Sequence, residues 1–119
     1  MKRVLAVDDT ITFRIMLSDC LRKAGHEVIE AENGKQALDK LLAEQPDIVI
    51  TDLNMPVMDG LDFIEAARKE HAGRALPMLL LTTEVADHLK KRAREVGATG
   101  WLTKPFDPAQ ILRLVDQLA

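Results

Sequence analysis

The 119-residue sequence has one cysteine, one tryptophan, three phenylalanines and no tyrosine. A single cysteine, Cys20, excludes an internal disulfide and is typical of a reducing compartment. With so few aromatic side chains, the protein has no platform on which nucleic-acid bases could stack. Its 16 basic and 19 acidic residues, for a net charge of −3, also argue against nucleic acid as a partner.

Long apolar runs are missing as well, and none approaches the ~20 residues that a transmembrane helix needs. Only four apolar residues, Val4 to Val7, separate the basic N-terminus from Asp8, too few for the apolar segment of a signal peptide. We therefore expect a cytoplasmic protein that does not insert into a membrane. The length suits a single domain over residues 1–119, which we expect to be a monomer.

The sequence does contain a strand-like segment followed by a helix-like segment, five times over. Short apolar runs predict strands at residues 3–7, 26–31, 47–51, 78–81 and 99–103. This alternation predicts the α/β class, with a doubly wound parallel sheet, helices on both faces and right-handed crossovers. The chain is too short for the eight repeats of a closed barrel.

The boundaries and inward faces of the helices follow from small polar residues, glycines and apolar spacing. Gly25 and Gly97 are expected just past the first and fourth helices. Thr10, or Asp8 in its place, is expected to cap the first helix, and Asp59 and Asp107 the third and fifth. A turn at residues 33–34 precedes the second helix. The predicted inward residues are Phe13, Met16, Leu17, Cys20, Leu21 and Ala24; Ala37, Leu38, Leu41 and Leu42; Leu61, Phe63, Ile64 and Ala67; Val85, Leu89, Ala93 and Val96; Ile111, Leu112, Val115 and Leu118.

Polar residues follow the predicted strands at their carboxyl ends: Asp8 and Asp9 after the first, Asp52 after the third, Thr82 after the fourth and Lys104 after the fifth. The carboxyl ends of parallel strands lie along one edge of the sheet, where ligands bind in such folds. A single acid in such a place is usually a helix cap or a solvated loop residue. The prediction of a site therefore depends on all five residues occurring together.

Three carboxylates in one crevice would repel one another and favour a divalent cation. Oxygen ligands without a nearby His or Cys point to Mg²⁺ rather than zinc. Asp9 and Asp52 are the predicted direct ligands, with Asp8 bound directly or through water and the backbone carbonyl of Asn54 as a further ligand. A carboxylate can also act as a nucleophile and form an acyl phosphate, and we assign that role to Asp52.

The other two residues at the predicted edge suit phosphoryl transfer, which needs neutralised phosphoryl oxygens and in-line attack. Lys104 would pair with one phosphoryl oxygen as a point charge. The Thr82 hydroxyl would donate a hydrogen bond to another. Every polar residue at the strand ends then has a role in the same reaction.

Four motifs together resemble the receiver domain of bacterial two-component response regulators: Val7-Asp8-Asp9, Asp52 through Gly60, Leu81-Thr82-Thr83 and Lys104-Pro105-Phe106. The resemblance spans the whole chain and is greatest to the single-domain CheY-type chemotaxis regulators. It implies a flavodoxin-like sheet of strand order 2-1-3-4-5 with five helices. It also implies that the Lys104-Pro105 peptide bond is cis.

The resemblance further implies a signalling switch rather than an enzyme that turns over an external substrate. Asp52 would accept a phosphoryl group from a sensor histidine kinase, CheA in chemotaxis, with Mg²⁺ as cofactor. Phosphorylation would draw Thr82 toward the phosphate and turn Trp101 inward. The face formed by the fourth helix, fifth strand and fifth helix would then bind a downstream protein, FliM of the flagellar switch in motility systems.

Loss of the phosphoryl group is part of the same implied cycle. The chain would hydrolyse its own acyl phosphate at a rate tuned by the side chains of Asn54 and Glu84, and a phosphatase is a further candidate partner. Two residues depart from the common family pattern. Trp101 replaces a Tyr or Phe, so that its larger ring is expected to resist moving inward. Thr83 replaces a small Ala, which is expected to narrow access to the phosphoryl site.

Other functions remain open at this point. A single-domain phosphorelay protein would pass the phosphoryl group from Asp52 to another histidine. A phosphatase of the haloacid dehalogenase type also uses an Asp nucleophile and Mg²⁺, but its Asp-x-Asp-x-Thr motif differs from residues 8–12, Asp-Asp-Thr-Ile-Thr. A flavin- or dinucleotide-binding module shares the architecture, yet no glycine closely follows the first strand. The basic run at residues 90–94 favours a solvated face or an acidic partner.

Overall fold

The computed structural model describes residues 1–119, and it contains five strands that alternate with five helices. The strands are β1 (Arg3–Val7), β2 (Glu27–Ala31), β3 (Ile48–Thr51), β4 (Met78–Thr82) and β5 (Gly100–Thr103). The helices are α1 (Ile11–Lys23), α2 (Gly34–Glu44), α3 (Gly60–Lys69), α4 (Asp87–Val96) and α5 (Pro108–Leu118), with a 3-10 turn at His71–Gly73. None of these helices combines the length and apolar character needed to span a membrane.

All neighbouring strands pair in parallel, in the order β2-β1-β3-β4-β5. The predicted α/β fold and strand order are therefore confirmed. Going from β1 to β2 the chain moves toward one edge of the sheet, whereas from β3 onward it moves toward the other. The order reverses between β1 and β3, and ligands bind at such a reversal in open parallel sheets.

The core forms two layers, one on each face of the sheet, because consecutive strand residues point to opposite faces. In β1, Leu5 and Val7 face the layer that α2 and α3 cover, while Val4 and Ala6 face the layer beneath α1 and α5. Both faces of the central strands are buried, which explains why those strands are apolar without alternation.

The helix boundaries largely follow the sequence signals. Asp59 and Asp107 cap α3 and α5 as predicted, with side chains that accept hydrogen bonds from backbone N–H groups. Gly25 and Gly97 follow α1 and α4 with φ of +92° and +93°, a conformation that favours glycine. Asn33 corrects the predicted turn, because it caps α2 directly through a bond from Gln36. Thr10 occupies the N-cap position of α1, but its side chain makes no capping hydrogen bond.

The prediction of core-facing residues is wrong at several positions. Met16, Ala24, Leu42 and Leu118 are exposed, Cys20 is only partly buried, and the exposed Val85 precedes α4. Helical spacing gives the direction of an apolar stripe but not its buried width. The sheet covers only the centre of each stripe, where Leu17, Leu21 and Leu41 are buried, and residues at its margins reach solvent.

Candidate functional site

The strand pairing continues past the ends of the strands and thereby aligns the site. The Asp8 N–H donates to the carbonyl of Ala31 at 3.1 Å, and the Asp52 N–H donates to the carbonyl of Val7 at 2.9 Å. Between the ends of β4 and β5, the Lys104 N–H donates to the carbonyl of Thr82 at 3.0 Å. The first residue after each of these strands is therefore held at the same edge.

Three carboxylates meet at this edge. Asp8, Asp9 and Asp52 each offer an oxygen, and these oxygens lie within 4.8 Å of one another. Asp8 and Asp52 are only 2% and 9% exposed, whereas Asp9 is open to solvent. Two buried acids and one exposed acid form a cleft that is negatively charged and accessible from one side.

Lys104 reaches across the sheet into this cleft. Its Nζ atom lies 2.8 Å from Oδ2 of Asp8 and 3.4 Å from Oδ2 of Asp52. The Lys104 side chain is itself mostly buried, with 15% exposed. One ammonium therefore neutralises part of the charge on two buried carboxylates, and it connects residues that are 96 positions apart in sequence.

The pKa of the Asp52 carboxyl is raised above its ordinary value. Burial is the main cause, since it disfavours the charged form, and the neighbouring Asp8 carboxylate adds repulsion. The Lys104 ammonium and the Leu53 N–H, which donates to Oδ1 of Asp52 at 2.8 Å, oppose this shift. The cleft by itself thus holds more negative charge than its single lysine offsets.

The donor chemistry of the cleft fits a magnesium ion. All three side chains offer carboxylate oxygens, the ligands that hard divalent cations prefer. With Lys104 as the single ammonium against three carboxylates, the remaining charge matches that of a divalent ion. Asp9, which faces solvent, leaves a side open for the waters that Mg²⁺ usually keeps. The predicted ligand set Asp8, Asp9 and Asp52 is therefore brought together.

The predicted tuning residues also meet. Thr82 is buried at the end of β4, and its hydroxyl oxygen accepts a hydrogen bond from the Glu84 N–H at 3.2 Å. The Asn54 side-chain amide donates to Oε1 of Glu84 at 3.0 Å, which joins the loop after β3 to the loop after β4. Thr83 is exposed beside them. The Lys104-Pro105 bond is cis, as the resemblance implied.

Trp101 is partly buried in β5, opposite Leu80 of β4, and packs against the core layer of α2 and α3. Its indole Nε1 is buried and has no hydrogen-bond acceptor. The Nζ atom of Lys90 in α4 lies 5.9 Å from the centre of the Trp101 ring. The side chain predicted to switch is thus neither fully packed nor fully solvated.

Three contributors to the site were not predicted. A Cβ on Gly60 would lie 2.1 Å from the Asp52 carbonyl oxygen, so only glycine fits there. Arg14 donates from Nη1 to the Asp8 carbonyl at 2.7 Å and from Nε to Glu30 at 3.1 Å. Phe13 lies beneath Lys104. The arginine and the phenylalanine follow the acidic pair by about one helical turn, which was the available signal.

Comparison with known proteins agrees with this architecture and site. The model of the response regulator receiver domain family matches residues 4–116. Since this match covers most of the chain, the protein belongs to the response regulator receiver domain family. Receiver domains of this CheY-like kind are activated by phosphorylation, bind Mg²⁺ in an acidic pocket, and interact with histidine kinases and downstream targets.

The similar proteins include single-domain regulators. Protein PilH of Pseudomonas aeruginosa is 34% identical over 116 residues, which cover 98% of this chain and 96% of PilH. The probable chemotaxis protein CheY of Rhizobium etli is 40% identical, covering 87% of this chain and 81% of that protein. The structure of chemotaxis response regulator CheY4 of Vibrio cholerae has a TM-score of 0.92 and 44% identity, covering 100% of this chain and 99% of CheY4.

A further solved structure, the receiver domain of a sensor histidine kinase from Pseudomonas aeruginosa, contains a magnesium ion coordinated in its active-site cleft. It has a TM-score of 0.91 and 25% identity, covering 98% of this chain and 96% of that domain.

Proposed function

We propose that this protein is a phosphorylation-controlled chemotaxis switch whose phosphoacceptor is Asp52. The observation that carries the proposal is the position of the Lys104 ammonium between the buried carboxylates of Asp8 and Asp52. The donor is a phosphohistidine on a sensor histidine kinase of the CheA type. The protein is a cytoplasmic monomer that modifies itself and turns over no external substrate.

The two carboxylate oxygens of Asp52 have different surroundings, and this difference supports a choice between them as the nucleophile. Oδ1 is held by the Leu53 N–H, whereas Oδ2 lies on the side of Lys104. We infer that Oδ2 attacks phosphorus, so that a P–O bond forms while the P–N bond to the donor histidine breaks. The electron pair of the P–N bond leaves with the imidazole. Lys104 moves from Asp8 and Asp52 toward the added phosphoryl oxygens.

Asp8, Asp9, Asp52 and the backbone carbonyl of Asn54 would hold the magnesium ion. When bound, the ion supplies positive charge against the phosphoryl oxygens and favours the ionised form of Asp52. The Thr82 hydroxyl oxygen accepts a hydrogen bond from the Glu84 N–H, and its own hydrogen is free to be donated to a further phosphoryl oxygen. Asn54 and Glu84 form a pair at the mouth of the cleft and tune the entry of the water that hydrolyses the acyl phosphate.

The output is binding of a downstream protein to the face formed by α4, β5 and α5. Similarity to the chemotaxis regulators of Vibrio cholerae and Rhizobium etli supports the flagellar switch protein as that target. The basic residues Lys90, Lys91 and Arg94 on α4 suit an acidic segment of the partner. A phosphatase that removes the phosphoryl group is a further partner.

Intact-protein mass spectrometry tests the covalent step. After incubation with acetyl phosphate and Mg²⁺, we expect one base-labile adduct of about 80 Da, the mass of one phosphoryl group. Asp52→Asn and wild-type protein with excess chelator are the controls, and neither should gain the adduct. An adduct that persists in Asp52→Asn, or no adduct in the wild type, would contradict the proposal.

A pull-down from the source cells tests the output. With Mg²⁺ and beryllofluoride, a mimic of the phosphoryl group, the protein should capture a flagellar switch protein that the untreated protein does not. Capture of a histidine phosphotransfer protein instead would indicate the phosphorelay alternative. The alternatives in which this chain is itself a haloacid dehalogenase-type phosphatase or a flavin-binding module are set aside, because the chain belongs to the receiver family.

A further inference from the structure

Phe13 supplies the third contact of the catalytic lysine. The Nζ atom of Lys104 lies 4.0 Å from the centre of the Phe13 ring, well within the range of a cation–π interaction. The other two groups at that ammonium are the carboxylates of Asp8 and Asp52. Lys104 is therefore bounded by two acids and one aromatic face.

The ring is itself held in place. Phe13 is partly buried in the first turn of α1 and packs against the core layer beneath α1 and α5. The ring of Phe106 meets it edge to face, with centres 5.6 Å apart and planes at 86°. This is a preferred geometry of aromatic pairs. Because Phe106 follows Lys104 by two residues, the same short segment carries the lysine and the support for the ring.

We propose that Phe13 is a positioning residue for phosphoryl transfer, whose ring face keeps the Lys104 ammonium inside the cleft. This role rests on the proposed function, in which Lys104 pairs with a phosphoryl oxygen. A lysine ammonium is compact, strongly hydrated and carried on a flexible four-carbon chain. The Phe13 ring restricts the movement of the Lys104 side chain into solvent. Less conformational entropy of that side chain is then lost on reaching the transition state.

The ring also offers an attraction that survives the reaction. When Asp52 is esterified its own negative charge is lost, and Lys104 must leave its contact with Oδ2 for the phosphoryl group. The attraction between an ammonium and an aromatic quadrupole does not depend on the charge state of Asp52. Phe13 thus keeps its contact with the Lys104 ammonium while the lysine exchanges Asp52 for the phosphoryl group.

The experiment is a fluorination series at position 13. Site-specific mono-, di- and trifluorophenylalanine keep the shape of the ring while they weaken its negative face. The rate of adduct formation from acetyl phosphate with saturating Mg²⁺ should fall stepwise, reaching about three- to tenfold with three fluorines. Phe13→Leu should be at least as slow as the trifluoro variant, and Phe13→Tyr should retain most of the rate.

A second readout needs neither magnesium nor reaction. In chelator, NMR of the wild type should show upfield ring-current shifts on the ε-methylene protons of Lys104. These shifts should be lost in Phe13→Leu and kept in Phe13→Tyr. The matched control is Phe63→Leu, which removes a fully buried ring from α3. It should lower stability but leave the phosphorylation rate of the folded protein and the Lys104 shifts unchanged.

The outcomes separate the two hypotheses. A wild type that gains no adduct contradicts the proposed function. A wild type that is phosphorylated normally while the fluorinated series shows no trend overturns the role of Phe13 and leaves the proposed function intact. Unshifted Lys104 methylene protons in the wild type would overturn the role of Phe13 in the same way.

Discussion

At the scale of single residues, the site is a balance of charges that burial makes unfavourable without a further cation. Burial and the Asp8 carboxylate raise the pKa of Asp52, and the Lys104 ammonium only partly offsets them. Buried charges that lack full compensation lower stability. Asp52 is therefore a place where the metal-free fold is less stable than its packing would allow.

Replacing Asp52 by its neutral isostere, asparagine, should stabilise the metal-free protein. The raised pKa of Asp52 means that the folded state keeps a proton that the unfolded state loses near pH 4, so wild-type stability falls as pH rises above that value. The comparison is made in chelator at about pH 7.5, well above the ordinary carboxyl pKa of about 4. There we expect Asp52→Asn to melt roughly 3–5 °C above the wild type, which corresponds to a gain on the order of 1 kcal/mol in the free energy of unfolding.

Calorimetry in chelator and in Mg²⁺ provides the check. Magnesium should raise the melting temperature of the wild type more than that of Asp52→Asn, because the variant has lost one carboxylate ligand. The two proteins should be compared in chelator from about pH 4, near the ordinary carboxyl pKa, to about pH 8. If the wild type and Asp52→Asn melt at the same temperature throughout this range, Asp52 carries no unfavourable charge.

Gly60 should be indispensable for the geometry of the site. An added Cβ would lie 2.1 Å from the Asp52 carbonyl oxygen, which is backbone and cannot swing aside. We expect Gly60→Ala to lower the free energy of unfolding by roughly 1–3 kcal/mol and to slow phosphorylation. Urea unfolding and adduct formation measure the two effects.

Gly25→Ala is the matched control for Gly60. A Cβ there meets no atom within 4 Å, but φ is +92°, so strain alone should cost about 1 kcal/mol. Phosphorylation should be unaffected, since Gly25 lies at the opposite end of α1 from the site. A Gly60→Ala protein with normal stability and rate would mean that the loop after β3 can shift freely.

At the scale of elements, the ends of strands and the beginnings of helices build the site together. Asp8 and Asp52 follow β1 and β3 directly, and the loop after β3 ends at the Asp59 cap of α3. The Gly60 N–H donates to the Leu53 carbonyl at 2.8 Å, which fastens the beginning of α3 to the loop that starts at Asp52. The start of this helix is therefore part of the framework of the site.

Removing the α3 cap should lower stability. Asp59 accepts from the Asp62 N–H at 2.8 Å, and we expect Asp59→Ala to cost about 1 kcal/mol, measured by urea unfolding. Asp39→Ala, an exposed acid within α2, is the control and should change stability by less than about 0.5 kcal/mol. Equal effects of the two substitutions would contradict a capping role for Asp59.

At the scale of the whole molecule, switching requires a change in the cleft to reach the face formed by α4, β5 and α5. Lys104 and Trp101 lie three positions apart at the end of β5, so the strand that contributes to the cleft also contributes to that face. The buried indole N–H of Trp101 lacks an acceptor. Leaving a buried donor unpaired is costly, which favours a second position for the ring.

Trp101 is the only tryptophan, so its emission reports directly whether the ring turns inward or, as its size favours, resists. If the ring turns inward, adding Mg²⁺ and beryllofluoride should change both the intensity and the wavelength of emission, because the indole would leave Lys90 and become more deeply buried. Asp52→Asn should show no response to beryllofluoride and is the control. An unchanged wild-type spectrum would argue that the larger ring of Trp101 does not move.

How much could be inferred from sequence differs between the fold and the site. The five strands, the Asp59 cap and the polar residues after the strands follow from local patterns, since strand propensity and capping depend on near neighbours. The strand order came from resemblance to a family. The exposure of Met16 and Leu42 could not be inferred, because it depends on how much of each helix the sheet covers.

The sequence by itself determined the alternation of strands and helices and placed an acid, a threonine or a lysine after the strands that form the site. Only the tertiary structure decided which distant groups touch. The contact of Lys104 with Asp8 and Phe13, the Arg14 bond to the Asp8 carbonyl and the fit of Gly60 against Asp52 all join separate segments. These contacts exist because β1, β3 and β5 end at one edge of a folded sheet, and no local pattern specifies such distances.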